Sequence, residues 1–248
     1  MKQNIYDNKT FFEEYQKMRA EEINANNLIE KPIFRTMLPD PRGKRVLDLG
    51  CGAGDLCAYC KNLGASYVLG TDISSKMLEV AKHEYPDITF LKCPMEDLPK
   101  LQGKFDLVVS SLAFHYVKDF DKLISDIKSH MLPGGTLIFS HEHPIATCFI
   151  PATKSTSKKI EVDGKRYYLV SDYNASGKRI MHWNIDGVIK YHRTFTEIIN
   201  TLTHHGFTNI ELQESYASEE AIKLEPKYKY QNDRPYFLFV KAELAKNS

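Results

Sequence analysis

The segment Val46-Leu47-Asp48-Leu49-Gly50-Cys51-Gly52-Ala53-Gly54-Asp55 holds the densest chemistry in the chain: an apolar run, three glycines at alternate positions and a carboxylate on either side. Gly50, Gly52 and Gly54 let a backbone turn tightly after a strand and come close to a ligand. The spacing G-x-G-x-G departs from the G-x-G-x-x-G of dinucleotide sites. Asp48 would face pyrophosphate in such a site, an awkward place for an anion, so it suits a cationic group instead. Further on, Leu69-Gly70-Thr71-Asp72-Ile73-Ser74 places a second carboxylate at the end of the next apolar run, where it can accept both hydroxyls of a ribose. Taken singly, Asp48 also reads as a cap for backbone amides and Asp72 as the N-cap of the following helix.

Candidate bases follow the fourth and fifth apolar runs. His115 comes after Phe105 to Ser111, and His141, Glu142 and His143 come after Gly135 to Ser140. All map to carboxyl ends of strands, where open sheets bind ligands, and they rank as bases in the order His115, His143, His141. Each also reads as an ordinary hydrogen-bonded histidine. His141 and His143 would share one face of a strand, but no third ligand accompanies them, and Cys57-x-x-Cys60 lacks a second Cys or His pair. No metal is expected.

These groups need a scaffold, and the pattern supplies one. Apolar runs at Arg45 to Leu49, Tyr67 to Thr71, Ile88 to Lys92, Phe105 to Ser111 and Gly135 to Ser140 alternate with helical spacing at Asp55 to Leu63, Ser75 to His83 and Phe120 to His130. That alternation predicts βαβ units and a parallel sheet. Residues 10–37 predict one or two amphipathic helices with Phe11, Phe12, Tyr15 and Met18 on one face. After the fifth run, Asp163-Gly164 and Asp186-Gly187 predict two hairpin turns, flanked by a Lys/Ser/Thr-rich run at 154–159. Phe195 to His205 then reads as a helix stopped by Gly206, and Thr208 to Gln213 and Tyr236 to Lys241 as closing strands.

The ordered segments VLDLGCGAGD, GTDIS, MEDLP, FDLVVSSLAFHYV and LPGGTLIFS resemble the motifs of class I S-adenosylmethionine-dependent methyltransferases over about residues 44–141. Within that family the chain is most similar to the small-molecule branch that includes ubiquinone- and menaquinone-biosynthesis-type enzymes, which the later segment YHRTFTEIINTLTHHGF also resembles. The resemblance implies an α/β fold: a doubly wound, Rossmann-like, seven-stranded, mostly parallel sheet with an N-terminal helical cap and a β-rich insertion after the fifth strand. The single domain divides as 1–43 cap, 44–144 cofactor core, 145–192 insertion and acceptor lid, and 193–248 C-terminal helix and strands. It further implies S-adenosylmethionine as cofactor and S-adenosylhomocysteine as product, with Gly50, Cys51, Gly52 and Gly54 framing the methionine part and Asp48 near its amino group. Asp72 would hold the ribose, with Ile73 and Met77 beside it; Met95 and Glu96 would meet the adenine; Ser111 and Leu112 would line the sulfonium side. Pro94 stands where family members often carry the Asp that contacts the adenine amine. Tyr15 and Arg19 would cover the cofactor, or merely pack, while Phe114, Trp183, Tyr191 and Arg193 are candidates to touch the acceptor.

Composition narrows the classes. The chain has 248 residues, 42% of them hydrophobic and 26% charged, and 33 basic residues balance 32 acidic ones to leave +1. Such neutrality argues against a dedicated nucleic-acid binder. The run Ser110-Ser111-Leu112-Ala113-Phe114 replaces the Asn/Asp-Pro-Pro-aromatic motif of amino-methylating DNA enzymes, and no Cys stands there for cytosine-carbon methylation. No apolar h-region follows a basic start, and no window approaches a membrane span, so a cytoplasmic protein with no membrane partner is expected, as monomer or homodimer. The expected activity is methyl transfer to an O, N or C atom of a small-molecule acceptor. An RNA or protein methyltransferase and a non-catalytic cofactor-binding protein of the same fold are the alternatives, with an NAD-linked dehydrogenase behind them.

Overall fold

The computed structural model describes residues 3–150, 158–183 and 185–246. In chain order the elements are α1 (Lys9–Ala20), α2 (Lys31–Met37), β1 (Arg45–Leu49), α3 (Asp55–Asn62), β2 (Tyr67–Asp72), α4 (Ser75–Glu84), β3 (Thr89–Lys92), β4 (Phe105–Ser110), α5 (Phe120–Ser129) and β5 (Met131–Glu142). They continue as α6 (Pro144–Thr147), β6 (Lys159–Val162), β7 (Lys165–Tyr168), β8 (Gly177–Trp183), β9 (Ile185–His192), α7 (Phe195–His204), β10 (Phe207–Glu214), α8 (Glu219–Leu224) and β11 (Phe237–Leu244).

The main sheet has seven strands in the order β3-β2-β1-β4-β5-β11-β10. The first five run parallel, and β11 lies antiparallel between β5 and β10. Strand order reverses between β1 and β4, so the carboxyl ends of those two strands open a crevice. Alternation along each strand supplies two cores. Leu47, Leu49, Val108 and Phe139 face α5 and α7 through Leu123, Ile124, Ile127, Ile198 and Leu202. Val46, Val109, Ile138 and Phe239 face the other layer through Phe34, Cys57, Cys60, Leu78 and Ala81. Asp48 shares the parity of Val46, which turns its carboxylate toward α3.

Local chemistry starts the helices where the sequence does. Ser74 accepts a hydrogen bond from the amide of Met77 at α4, Asp119 from Lys122 at α5, and Thr194 with Glu197 forms a reciprocal capping box at α7.

A smaller third cluster binds the N-terminal segment to the insertion. Ile5, Phe11 and Val188 are buried there against Tyr6, Tyr15, Tyr116, Trp183 and Ile185. Phe12 does not share the face expected for it: Phe11 points inward, whereas Phe12 lies under the Lys76 ammonium, 5.4 Å from ring centroid to Nζ. The hairpin β6–β7 turns at Asp163-Gly164 as expected. The second expected turn is displaced. Asp186 and Gly187 lie inside β9, Gly187 at a φ of +82°, next to a register shift between Met181 and Trp183. Here the left-handed glycine serves an irregular strand instead of a tight turn. Residues 154–157 of the Lys/Ser/Thr-rich run lie outside the described residues.

Candidate active site

Beyond β1 the chain turns at Gly50, whose φ of +73° favours glycine; a Cβ there would lie 2.6 Å from the Ala113 Cβ and 2.8 Å from the Met95 Cε. The amides of Gly50 and Cys51 donate to the Thr71 carbonyl at 2.8 and 2.9 Å, fastening the turn to β2. The Gly52 amide donates to Asp72 Oδ2 at 2.9 Å and the Ser74 amide to Asp72 Oδ1 at 2.8 Å. Asp72 is thereby fixed at the crevice, while Ser74 takes the capping role. Gly54 has a different task from its neighbours. It does not line the cavity, and a Cβ on it would strike the Phe90 ring at 2.8 Å.

The crevice is a cavity of about 920 Å³. Asp48, Gly50, Cys51, Gly52, Asp72, Ile73, Met77, Met95, Glu96, Ser111 and Leu112 line it together, and α1 contributes Tyr15 and Arg19. Asp48 is the most informative of these. Its Oδ2 accepts the Cys57 thiol at 3.2 Å, and its buried Oδ1 has no partner. Burial, then the nearby carboxylates of Asp72, Glu30 and Asp55, pushes its pKa up to about 7, although the Cys57 thiol pulls the other way. Burial also raises Asp72, against the amides that hold it. Asp55 behaves oppositely: burial would raise it, but Arg19 at 2.5 Å and Lys31 at 3.0 Å hold its carboxyl below the ordinary value.

Glu30 was not singled out in the sequence. It arrives on the turn Asn26–Glu30 ahead of α2, is buried, lines the cavity, and accepts hydroxyls from Ser111 at 2.8 Å and Ser140 at 2.6 Å. Ser140 Oγ in turn receives the amide of Leu112, a non-glycine residue at a φ of +50°. The signal available was its place on the apolar stripe of Ile29, Ile33 and Phe34.

At the far end the cavity becomes aromatic. Tyr6, Tyr15, Tyr116 and Trp183 line it, with the hydroxyls of Tyr6 and Tyr116 3.5 Å apart. His115 also lines it, with Nδ1 unpartnered. Burial first, then the charges of Lys190 and Arg193, holds His115 well below the ordinary histidine pKa, so the ring is neutral and poorly disposed to take a proton. Lys190 and Glu142 form an ion pair at the wall.

Several expected residues lie elsewhere. His143 caps α6, accepting the amide of Ile145 at 3.2 Å, with Nε2 on Glu214 at 3.0 Å; it does not line the cavity. Because β5 ends at Glu142, His143 does not share a strand face with His141. His141 is buried behind His115, their rings 5.6 Å apart and edge to face, and does not line the cavity. Phe114 is wholly buried against Phe139, at 4.8 Å between centroids. Arg193 is spent on the carbonyls of Phe114, Val117, Lys118 and Tyr191, which pins the turn carrying His115 to the end of β9. Neither it nor Tyr191 lines the cavity. Cys57 and Cys60 are buried free thiols, and among the described residues no group of three or more His, Cys, Asp or Glu could hold a metal.

A glycine turn at the switch point of a parallel sheet, flanked by two buried carboxylates, defines a Rossmann-like nucleotide-cofactor enzyme. The family described as a methyltransferase domain matches residues 47–139. The chain is similar to the crystal structure of an S-adenosylmethionine-dependent methyltransferase from Mesorhizobium loti, with 38% identity, a TM-score of 0.78, and coverage of 89% of this chain and 98% of that one. An uncharacterised protein of Haemophilus influenzae is 38% identical over 248 residues, 96% of each chain. A ubiquinone biosynthesis O-methyltransferase of Brucella anthropi is 36% identical over 99 residues, which span 38% of this chain and 40% of that relative. The chain belongs to the class I S-adenosylmethionine-dependent methyltransferases. Its cofactor is S-adenosylmethionine, and the residues present fit it: the unpartnered Asp48 oxygen calls for a cation such as an amino acid's ammonium.

Proposed function

We propose that this enzyme methylates a small organic acceptor held between the N-terminal cap and the β8–β9 hairpin. The reading is carried by one observation: a single cavity joins an acidic half at the glycine turn to an aromatic half at His115, Tyr116, Trp183 and Lys190. In this reading Asp48 receives the ammonium of the cofactor's methionine part, Asp72 the ribose hydroxyls, Met95 and Glu96 the adenine, and Ser111 and Leu112 border the sulfonium. The bound cofactor supplies an electrophilic methyl group open to in-line displacement. The chain's contribution is to align the acceptor and exclude water, for which Tyr6, Tyr15 and Trp183 form the cover. His115 serves as a neutral hydrogen-bonding group beside the acceptor. Five unbridged cysteines support a reducing, cytoplasmic setting.

The test is thermal stabilisation by S-adenosylmethionine, S-adenosylhomocysteine and NAD in parallel, since a ligand of the native state raises its melting temperature. The first two should raise it and NAD should not. Asp72→Ala should weaken cofactor affinity by about 1–3 kcal/mol, the worth of a hydrogen bond to a charged group. Unchanged affinity in calorimetry would remove the ribose assignment.

A further inference from the structure

The acceptor half of the cavity already contains a cation. Lys190 is 5% exposed, its Nζ pairs with one oxygen of Glu142, and it lies 4.6 Å from the Trp183 ring centroid and 5.7 Å from that of Tyr116. Aromatic walls with a carboxylate commonly form a pocket for an amine. Here the chain's own ammonium takes that place, so a cationic acceptor would meet Lys190 instead of an empty cage. Behind the wall, outside the cavity lining and held by the carbonyls of Phe114 and Val117, the Arg193 charge bears on His115 together with Lys190. Glu142 is the carboxylate paired with Lys190, and its other oxygen, Oε2, is buried without a partner, while Glu197 and Asp119 lie near Arg193. The hydroxyls of Tyr6, Tyr15 and Tyr116 add donors, since burial keeps all three phenols protonated. His115, neutral in that field, is a poor sink for an acceptor's proton.

We propose that the acceptor is an oxygen acid on a flat apolar body, a carboxylate or an acidic phenol, which enters already ionised and docks its oxyanion on Lys190. The inference rests on the methyl-transfer reading of the same cavity. The acceptor oxygen forms its bond to the methyl carbon as the carbon–sulfur bond breaks and leaves its electron pair on sulfur. Oxyanion and sulfonium charges cancel, giving a neutral ester or ether and a neutral thioether, and no proton moves. Lys190 holds the oxygen by charge and N–H donation, and the rings of Trp183 and Tyr116 accommodate the apolar body.

The experiment uses the full chain saturated with S-adenosylhomocysteine and four probes: trans-cinnamate, para-nitrophenolate, cinnamyl alcohol and cinnamylamine. One or both oxyanions should raise the melting temperature further, and the alcohol and the amine should not. Cinnamate alone identifies a carboxylate acceptor and nitrophenolate alone a phenol. In Lys190→Met the oxyanion response should weaken by roughly tenfold or more in apparent affinity while the response to S-adenosylhomocysteine persists, and Lys190→Arg should restore part of it. Glu142→Gln gives a second reading should Lys190→Met fail to fold. Removing the competing carboxylate should tighten oxyanion binding, whereas a purely structural ion pair would leave it unchanged or weaker. Stabilisation by the amine, or by neither oxyanion, overturns the proposal while the methyl-transfer reading stands. No response to S-adenosylhomocysteine itself overturns both.

Discussion

Asp48 ties the free enzyme to pH. Its unfolded carboxyl ionises near 3.8 and its folded one near 7, so between those values the folded chain holds a proton that the unfolded chain has released. Stability from this group is therefore present below about pH 4 and is lost as pH rises to about 7, by up to about 4 kcal/mol. Asp48→Asn should flatten that fall and leave the cofactor-free variant more stable than the parent at about pH 8, as read by urea unfolding. A cationic ammonium at Oδ1 would restore the carboxylate, so cofactor binding at about pH 6 should release a proton, measurable by calorimetry in buffers of differing ionisation enthalpy. Asp48 and Asp72 were legible in the sequence because each follows a strand into its turn, where local pattern fixes position. Glu30 and Lys190 were not, because what gives them meaning, Ser140 in one case and Glu142 in the other, lies far along the chain.

Residues 3–20 form a strap across the cavity. Asp7 anchors it, accepting the Ser74 hydroxyl at 2.6 Å and the amides of Lys76 at 3.2 Å and Ser75 at 3.4 Å, all at the start of α4, where the helix favours negative charge. These bonds hold its carboxyl below the ordinary value even though burial works against them. Asp7→Ala should loosen the strap at a cost of about 1 kcal/mol, typical of a lost capping interaction, and lower cofactor affinity. Hydrogen exchange should quicken in α1 and not in β1, β4 or β5; exchange accelerating throughout the sheet would contradict a local latch. The parallel strands were read from sequence to within a few residues, since strands buried on both faces are nearly continuous apolar runs. The displaced turn at Asp186-Gly187 shows the limit of that local signal: the dipeptide specifies a left-handed backbone, and only the pairing of β8 with β9 decides whether that conformation becomes a turn or an irregular strand. Residues 219–231 escaped because α8 and the short turn after it present mainly charged and tyrosine side chains, with little period to detect.

For the whole molecule, cofactor at about a hundred times its dissociation constant adds about 2.7 kcal/mol of stability, which for a chain of this size corresponds to roughly 5–11 °C in melting temperature. A much smaller shift at about 1 mM S-adenosylhomocysteine would mean a dissociation constant near that concentration, too weak for two carboxylates that grip the cofactor as proposed. Most of that gain should survive changes in the β8–β9 hairpin, because the acidic half of the cavity is built on β1, β2, β4 and the N-terminal cap. The apolar pattern made the sheet readable, and five ordered motifs made the glycine turn and its two carboxylates readable. The aromatic half depends on four segments that meet only in the folded chain, carrying Tyr6 and Tyr15, His115 and Tyr116, Glu142, and Trp183 and Lys190.

That meeting has a consequence for how the protein is made. The side chain of Gln3 accepts the amide of Ile189, closing a contact between residues 186 apart in sequence. A ribosome that has released residues up to the end of β5 has produced the glycine turn with Asp48 and Asp72, but the Gln3 side chain still lacks Ile189, and β5 still awaits β11 along its edge. During translation, then, the glycine turn can form well before the β8–β9 hairpin closes over the cavity, and β5 stays an open apolar edge until β11 pairs with it.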